Sequence, residues 1–257
     1  LFKISANCTL TSSAVICAMF SASRSNYIAQ DGKYRKAAWQ TTRIGVMLHS
    51  NRKTNQPPGG LSMDLHIRTE HPEDAAAVDE ILVKAFGRTY EADLVIRLRK
   101  AGRIALALTA EIDNQAVGHI LFSPLALNGY SPPHAPEDIP APPLARPPTP
   151  WPGCAPGSLC LLALAPVAVL PDFQRQGIGS ALIKQGILMA GPLTWAAGIV
   201  VVGHADYYPR FGFAPAAGFG LTCPFPVPAE SFLALELDPG ALADKHGQVA
   251  YAPEFTT

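Results

Sequence analysis

One stretch constrains this chain more than any other: residues 161–190, LLALAPVAVLPDFQRQGIGSALIKQGILMA. It opens with an apolar run rich in Val and Leu, of a length suited to a buried strand. Pro171-Asp172 ends the run. Gln174-Arg175-Gln176-Gly177-Ile178-Gly179 follows, and then Ile178, Leu182, Ile183 and Ile187 fall at helical spacing, which predicts a helix starting near Gly177. A strand, a tight glycine turn and a helix together present free backbone N–H groups at the positive end of a helix. That arrangement is an anion cradle. Its glycines let the main chain approach an anion with no Cβ in the way.

Two common cradles are excluded by single positions. A dinucleotide-binding GxGxxG would place Gly where Leu182 stands. A P-loop would continue Gly-Lys-Ser/Thr, whereas Ser180-Ala181-Leu182 follows the glycines. What remains is Q-x-x-G-x-G after a strand. A second segment, residues 198–213, GIVVVGHADYYPRFGF, reads as another buried strand, a short helix carrying Tyr208, and Gly212-Phe213.

The first segment resembles the pyrophosphate loop of the GCN5-related N-acetyltransferases (GNAT superfamily). The second resembles the segment in which a GNAT strand leads to Tyr-x-x-x-Gly-Phe. Order and separation also match. YYPRFGFAPA with VAVLPDFQRQGIGSALI is most similar to the YhbS-like branch. The resemblance spans Met63 to roughly Phe255, apart from an insertion. It implies an α/β (α+β) fold: a mixed, mostly antiparallel sheet flanked by helices on both faces. It also implies acetyl-CoA as donor.

The rest of the chain reads in that order. Leu65–Arg68 alternates as a strand. Pro72 and acidic residues open a helix whose apolar face is Ala75, Val78, Ile81, Leu82 and Ala85, with Gly87 as its stop. A second helix covers Glu91–Lys100, with Leu94, Val95 and Leu98 inward. Ile104–Ile112 and Ala116–Leu127 form a hairpin around Asp113-Asn114-Gln115. Gly218–Thr222 and Ser231–Leu237 read as closing strands, and the tail from Asp238 as loop.

Residues 128–157 hold eleven of the chain's 25 prolines and few large apolar residues. They are expected to be an insertion without a core strand. Residues 1–62 are polar, lack periodicity and end in Pro57-Pro58-Gly59-Gly60, so a poorly ordered extension is expected, with Met63 as a natural start. A signal peptide built on Lys3, Ala14–Phe20 and Ser21-Ala22-Ser23 is the competing reading. The domain is therefore placed at 63–257.

Twenty Lys and Arg balance twenty Asp and Glu, so no net field favours nucleic acid or an anionic membrane. The five cysteines show no metal spacing, no metal is expected, and their odd, scattered placement suits a reducing cytoplasm. No apolar run reaches the ~18 residues of a spanning helix.

The resemblance assigns roles residue by residue. The N–H groups of Gln174, Arg175, Gln176, Gly177, Ile178, Gly179 and Ser180 would hold the CoA pyrophosphate. The backbone of Val167, Ala168 and Val169 would pair with the pantetheine amides, and Pro166 favours a bulge or edge there. A backbone N–H near Val167 would serve the oxyanion. Tyr208 would protonate the leaving thiolate, with Tyr207 pointing elsewhere. The base is not identified: His204 and Asp206 are nearest in sequence, His119 lies inside a strand, and Asp172 is expected to cap the turn. The expected reaction is acetyl transfer to a primary amine of a small molecule. Transfer to a protein or peptide and a non-catalytic acyl-CoA-binding module are the alternatives. A homodimer is compatible with this reading.

Overall fold

The computed structural model describes residues 42–43, 64–128, 159–193 and 195–256. Apart from Thr42 and Arg43, the proposed extension lies outside them, as does the insertion apart from Asn128. β1 (Thr42–Arg43) pairs antiparallel with β2 (Leu65–Thr69). Then come α1 (Ala75–Phe86), α2 (Tyr90–Lys100), β3 (Leu106–Ile112), β4 (Gln115–Leu127) and β5 (Cys160–Val169). α3 (Ile178–Ala190), β6 (Ala196–Val202), β7 (Ala214–Pro215), β8 (Leu221–Thr222), β9 (Phe232–Glu236) and β10 (Gly247–Ala250) complete the order.

The sheet runs β1-β2-β3-β4-β5-β6-β9-β7, with β10 beside the end of β4 and β8 beside β10. Every pairing is antiparallel except β5–β6 and β10–β8. This is the mixed, mostly antiparallel sheet expected. Period-2 alternation assigns the faces. Leu121 and Ala168 pack with Val78, Ile81 and Leu82 of α1 and with Leu94, Val95 and Leu98 of α2. The intervening positions Gly118, Ile120 and Phe122 meet α3 on the opposite face.

Local chemistry explains the boundaries. Gly87 ends α1 in the left-handed region, φ 68°, and its N–H returns to the Val83 carbonyl. Asp113 and Asn114, both at positive φ, make the two-residue hairpin between β3 and β4. Two expectations fail. Residues 216–219 wind into a 3-10 turn, so the strand expected over Gly218–Thr222 shrinks to Leu221–Thr222. The tail is not all loop, because β10 pairs with Leu127 and Ala126. Val249 is its buried anchor, and one large apolar residue in a four-residue strand gives no visible period.

Gly186 is where α3 rests on the sheet. A methyl there would sit 2.5 Å from Phe122 Cζ, and Phe122 is fully buried. Ala would gain about 1 kcal/mol of helix propensity, but overpacking costs about 1–3 kcal/mol and the enclosed ring cannot swing aside. Gly186→Ala should therefore lower stability by up to about 2 kcal/mol, read as a lower urea midpoint at unchanged slope.

An ion cluster pins β2 to the first turn of α1. Arg68 donates to both Asp74 carboxylate oxygens, at 2.6 and 2.8 Å, and to Glu111 on β3. The Arg68 hydrogen bond, working against burial, holds the Asp74 carboxyl below its ordinary range. A depressed acid contributes stability above its unfolded pKa and loses it as pH falls through the folded value. Urea melts should show this cluster's contribution intact at pH 7 and shrinking below about pH 4. Arg68→Met should flatten that acid limb.

Candidate active site

The glycine turn takes its shape from three backbone choices. Arg175 and Gly177 adopt positive φ, 59° and 88°, and Gly177 stands at the N-terminus of α3. Gln174 Nε2 donates to the Val169 carbonyl at 3.0 Å, tying the loop to the end of β5. Gln176 Nε2 donates to the Asp172 carbonyl at 3.0 Å. Asp172 thus takes part through its main chain. Its side chain does not cap, a correction to the expected cap, and Gly177 holds the N-cap position of the helix.

The consequence is a run of six N–H groups, from Arg175 to Ser180, that donate to no backbone carbonyl among the described residues. Donors at a helix N-terminus take water or a ligand as acceptor, and an anion is the acceptor that also suits the helix dipole. Gln174 is outside the run, because its N–H returns to the Pro171 carbonyl at 3.3 Å.

Beside the cradle, the parallel pair β5–β6 comes apart. Register partners are Cys160 with Ala196, Leu162 with Ile199 and Ala163 with Val200, and none follows. On its other edge β5 stays paired: Ile120 with Val167, His119 with Ala168, Gly118 with Val169. The register slips between Ile120 and Phe122, opposite Pro166, which is the bulge that proline favours. Val167, Ala168 and Val169 therefore keep an edge that β6 does not occupy. An extended, amide-bearing ligand could hydrogen-bond there.

Past β6 the chain turns through a 3-10 segment, Tyr208–Phe211. Successive side chains on so tight a turn diverge, and the rings of Tyr207 and Tyr208 stand at 89° to one another. Tyr208 is 6% exposed. Its ring packs edge-on against Phe211 and Phe213, and a methyl on Gly203 would come within 2.2 Å of its Cε2. Burial, and then the neighbouring Tyr207, pushes its phenol up to about 12. Tyr207 was expected to point away from the site, yet its hydroxyl lies 3.2 Å from Ser180 Oγ in the first turn of α3. Arg210 stacks on its ring at 4.6 Å. The Tyr-x-x-x-Gly-Phe spacing selects Tyr208 and carries no signal for a contact made by Tyr207.

His204 and Asp206 are exposed, whereas His119 is fully buried. Among the described residues no cluster of His, Cys, Asp and Glu could hold a metal, and no helix is long and apolar enough to cross a membrane. Cys160 is disulfide-bonded, which runs against a set of reduced thiols.

Comparison with known proteins identifies the family. Residues 104–215 match the profile of the acetyltransferase (GNAT) domain. The chain is 36% identical over 177 residues to the uncharacterized N-acetyltransferase YjhQ of Escherichia coli (strain K12), covering 65% of this chain and 82% of YjhQ. It is 32% identical over 190 residues to the uncharacterized N-acetyltransferase YhbS of the same strain, covering 74% and 97%. The crystal structure of E. coli YhbS in complex with CoA superposes with a TM-score of 0.62 at 28% identity, covering 79% of this chain and 97% of YhbS. A GNAT acetyltransferase from Brucella melitensis in complex with acetyl-CoA gives 0.53 at 30% identity, covering 74% and 97%.

Proposed function

Because the chain belongs to the GNAT family of acetyl-CoA-dependent N-acetyltransferases, we propose that it moves the acetyl group of acetyl-CoA to the primary amine of a small molecule, using the cleft between β5 and β6. The observation that carries this reading is the coincidence of six free N–H groups with a parallel pair that stops pairing after Ala163 and Val200. The CoA pyrophosphate suits the first feature and the pantetheine amides suit the second. In this reading Arg175 to Ser180 bind the diphosphate and Gln174 braces the loop. Val167, Ala168 and Val169 align the arm.

The thioester carbonyl then lies near Val167, where a backbone N–H stabilises the developing oxyanion. An alkylammonium has a pKa of ~10.4, so only about one in a thousand is free base at pH 7. The lone pair of that free base forms the N–C bond as the C–S bond breaks, and the nitrogen sheds one proton as the amide forms, which replaces the one Tyr208 gives up. Tyr208 donates its hydroxyl hydrogen to the departing sulfur. Ser180 and Tyr207 together close the side of the cradle.

The catalytic domain spans residues 63–257, with 128–157 an insertion between β4 and β5 and 1–62 an extension. A cytoplasmic site of action follows from the supply of acetyl-CoA; the Cys160 disulfide is the feature against it.

The test is release of CoA thiol from acetyl-CoA by the full chain. Spermidine and simple alkylamines are compared with a peptide bearing a free N-terminus and lysine. Acetylation of the small amines supports this reading, and acetylation of the peptide alone replaces it with the protein-directed one. Acetyl-CoA bound but turned over with no amine would leave a binding module.

A further inference from the structure

The sheet face opposite the cradle carries a buried constellation that the reaction so far leaves unused. His119 on β4 is 0% exposed, and its Nε2 lies 2.7 Å from Glu70 Oε2. Glu70 Oε1 accepts from Arg99 Nη2 of α2, also at 2.7 Å. Burial pushes the Glu70 carboxyl up, but the hydrogen bonds and charges of His119 and Arg99 outweigh it and hold it below its usual range. A carboxylate only accepts, so Nε2 carries the hydrogen and, in the neutral ring, the lone pair stands on Nδ1. That atom is buried and has no partner among the described residues.

Two more buried atoms without partners come from the surrounding elements: Thr109 Oγ1, opposite His119 on β3, and Asp79 Oδ1 on α1. Each unpaired buried polar group costs about 1–3 kcal/mol, and a fold that keeps three in one region keeps them for a reason. Asp79 senses the charges of Arg99, Glu70, His119 and Asp93, and burial pushes its carboxyl up.

Position supplies that reason. His119 is the register partner of Ala168, one residue from Val167. It shares its face with Leu121, which packs on α1 and α2, whereas the cradle helix covers the other face. In the acetyl-transfer reading a donor held by the cradle on the α3 side would bring its thioester to Val167, and an acceptor approaching from the α1–α2 side would meet it beside His119. A histidine oriented by a carboxylate, with its second nitrogen unprotonated, is a proton acceptor.

We propose that His119, held by Glu70, is the base that takes the amine's proton. This rests on the acetyl-transfer reading above. The ammonium gives one proton to Nδ1 through an intervening water, because the ring is enclosed, and Glu70 stabilises the imidazolium that results. The freed lone pair forms the N–C bond while the C–S bond breaks. The thiolate takes the Tyr208 proton, and the second proton of the amine restores it. The proton on His119 leaves to solvent with the products.

The test compares two acceptors with the full chain at saturating acetyl-CoA and pH 7: methylamine, which is protonated, and hydroxylamine, which is largely not. His119→Gln should lower CoA release with methylamine a hundredfold or more, lower it tenfold less with hydroxylamine, and leave acetyl-CoA affinity in place. In His119→Gln the methylamine rate should track the free-base fraction instead, rising about tenfold per pH unit up to the amine's pKa of ~10.4. Glu70→Gln should shift the acid limb of the wild-type profile. Equal losses with both amines, or a wild-type pH profile for methylamine retained by His119→Gln, would overturn the proposal. Should His119→Gln fail to fold, ¹⁵N spectra of the wild-type imidazole decide: an unprotonated Nδ1 at pH 8 is expected, and a proton on Nδ1 with a bare Nε2 overturns it. Wild type that binds acetyl-CoA but releases CoA to neither amine defeats this proposal and acetyl transfer together. Loss of acetyl-CoA binding would defeat the donor site itself.

Discussion

Gly177→Glu should weaken acetyl-CoA binding at least a hundredfold. Two effects add at this position. Gly177 has φ 88°, and a side chain in that left-handed region costs about 1–2 kcal/mol. The larger effect is charge. A carboxylate about 4 Å from a diphosphate oxygen repels it by about 4 kcal/mol at an effective dielectric of ~20, and every ~1.4 kcal/mol is a factor of ten in affinity. Gly177 is exposed, so the fold should survive, with a melting temperature lowered only by the backbone strain. Gly177→Ala separates the two effects, because it carries the strain without the charge and should lose tenfold or so. Calorimetric titration of both variants checks this. Wild-type affinity in Gly177→Glu would remove the turn from the donor site.

Tyr208→Phe should slow CoA release by about two orders of magnitude, within the usual range for a positioned acid, at unchanged acetyl-CoA affinity. The substitution removes one oxygen and keeps the ring that packs on Phe211 and Phe213, so stability should hold. Magnitudes define the kind of help Tyr208 gives. Its phenol is pushed up to about 12, against a thiol near 8.5. On those values full transfer is about 3.5 units, or about 5 kcal/mol, uphill. Burial of the thiolate narrows the gap by raising the thiol as well. Tyr208 therefore gives a strong hydrogen bond first and its proton late. It also stays protonated throughout the neutral range, so an alkaline limb in the rate between pH 8 and 10 belongs to another group. Rates measured by thiol release across pH 6–10 check both points, and a wild-type rate in Tyr208→Phe would strike Tyr208 from the mechanism.

Much of this was legible in the chain because it is written in local chemistry. The α1 face, the Gly87 stop, the Asp113-Asn114 turn and the strand–glycine–helix unit each follow from a few neighbouring residues. Pro166 announced the bulge in β5 because a missing N–H leaves a ladder incomplete. What escaped depends on contacts between distant segments. β10 exists because Leu127 and Leu221 offer it edges, and no pattern within Gly247–Ala250 reveals that. The hydroxyl of Tyr207 reaches Ser180 from twenty-seven residues away in sequence, a contact that only the fold creates. His119 reads as an ordinary strand histidine until Glu70, forty-nine residues away in sequence, is folded against it.

In the proposed donor site six backbone N–H groups hold the diphosphate. Amide hydrogen exchange, with and without saturating acetyl-CoA, tests it directly. Protection should rise at Arg175 to Ser180 and along Val167 to Val169, and stay unchanged in β10. Saturating acetyl-CoA that leaves the amides of Arg175 to Ser180 exchanging as before would contradict it.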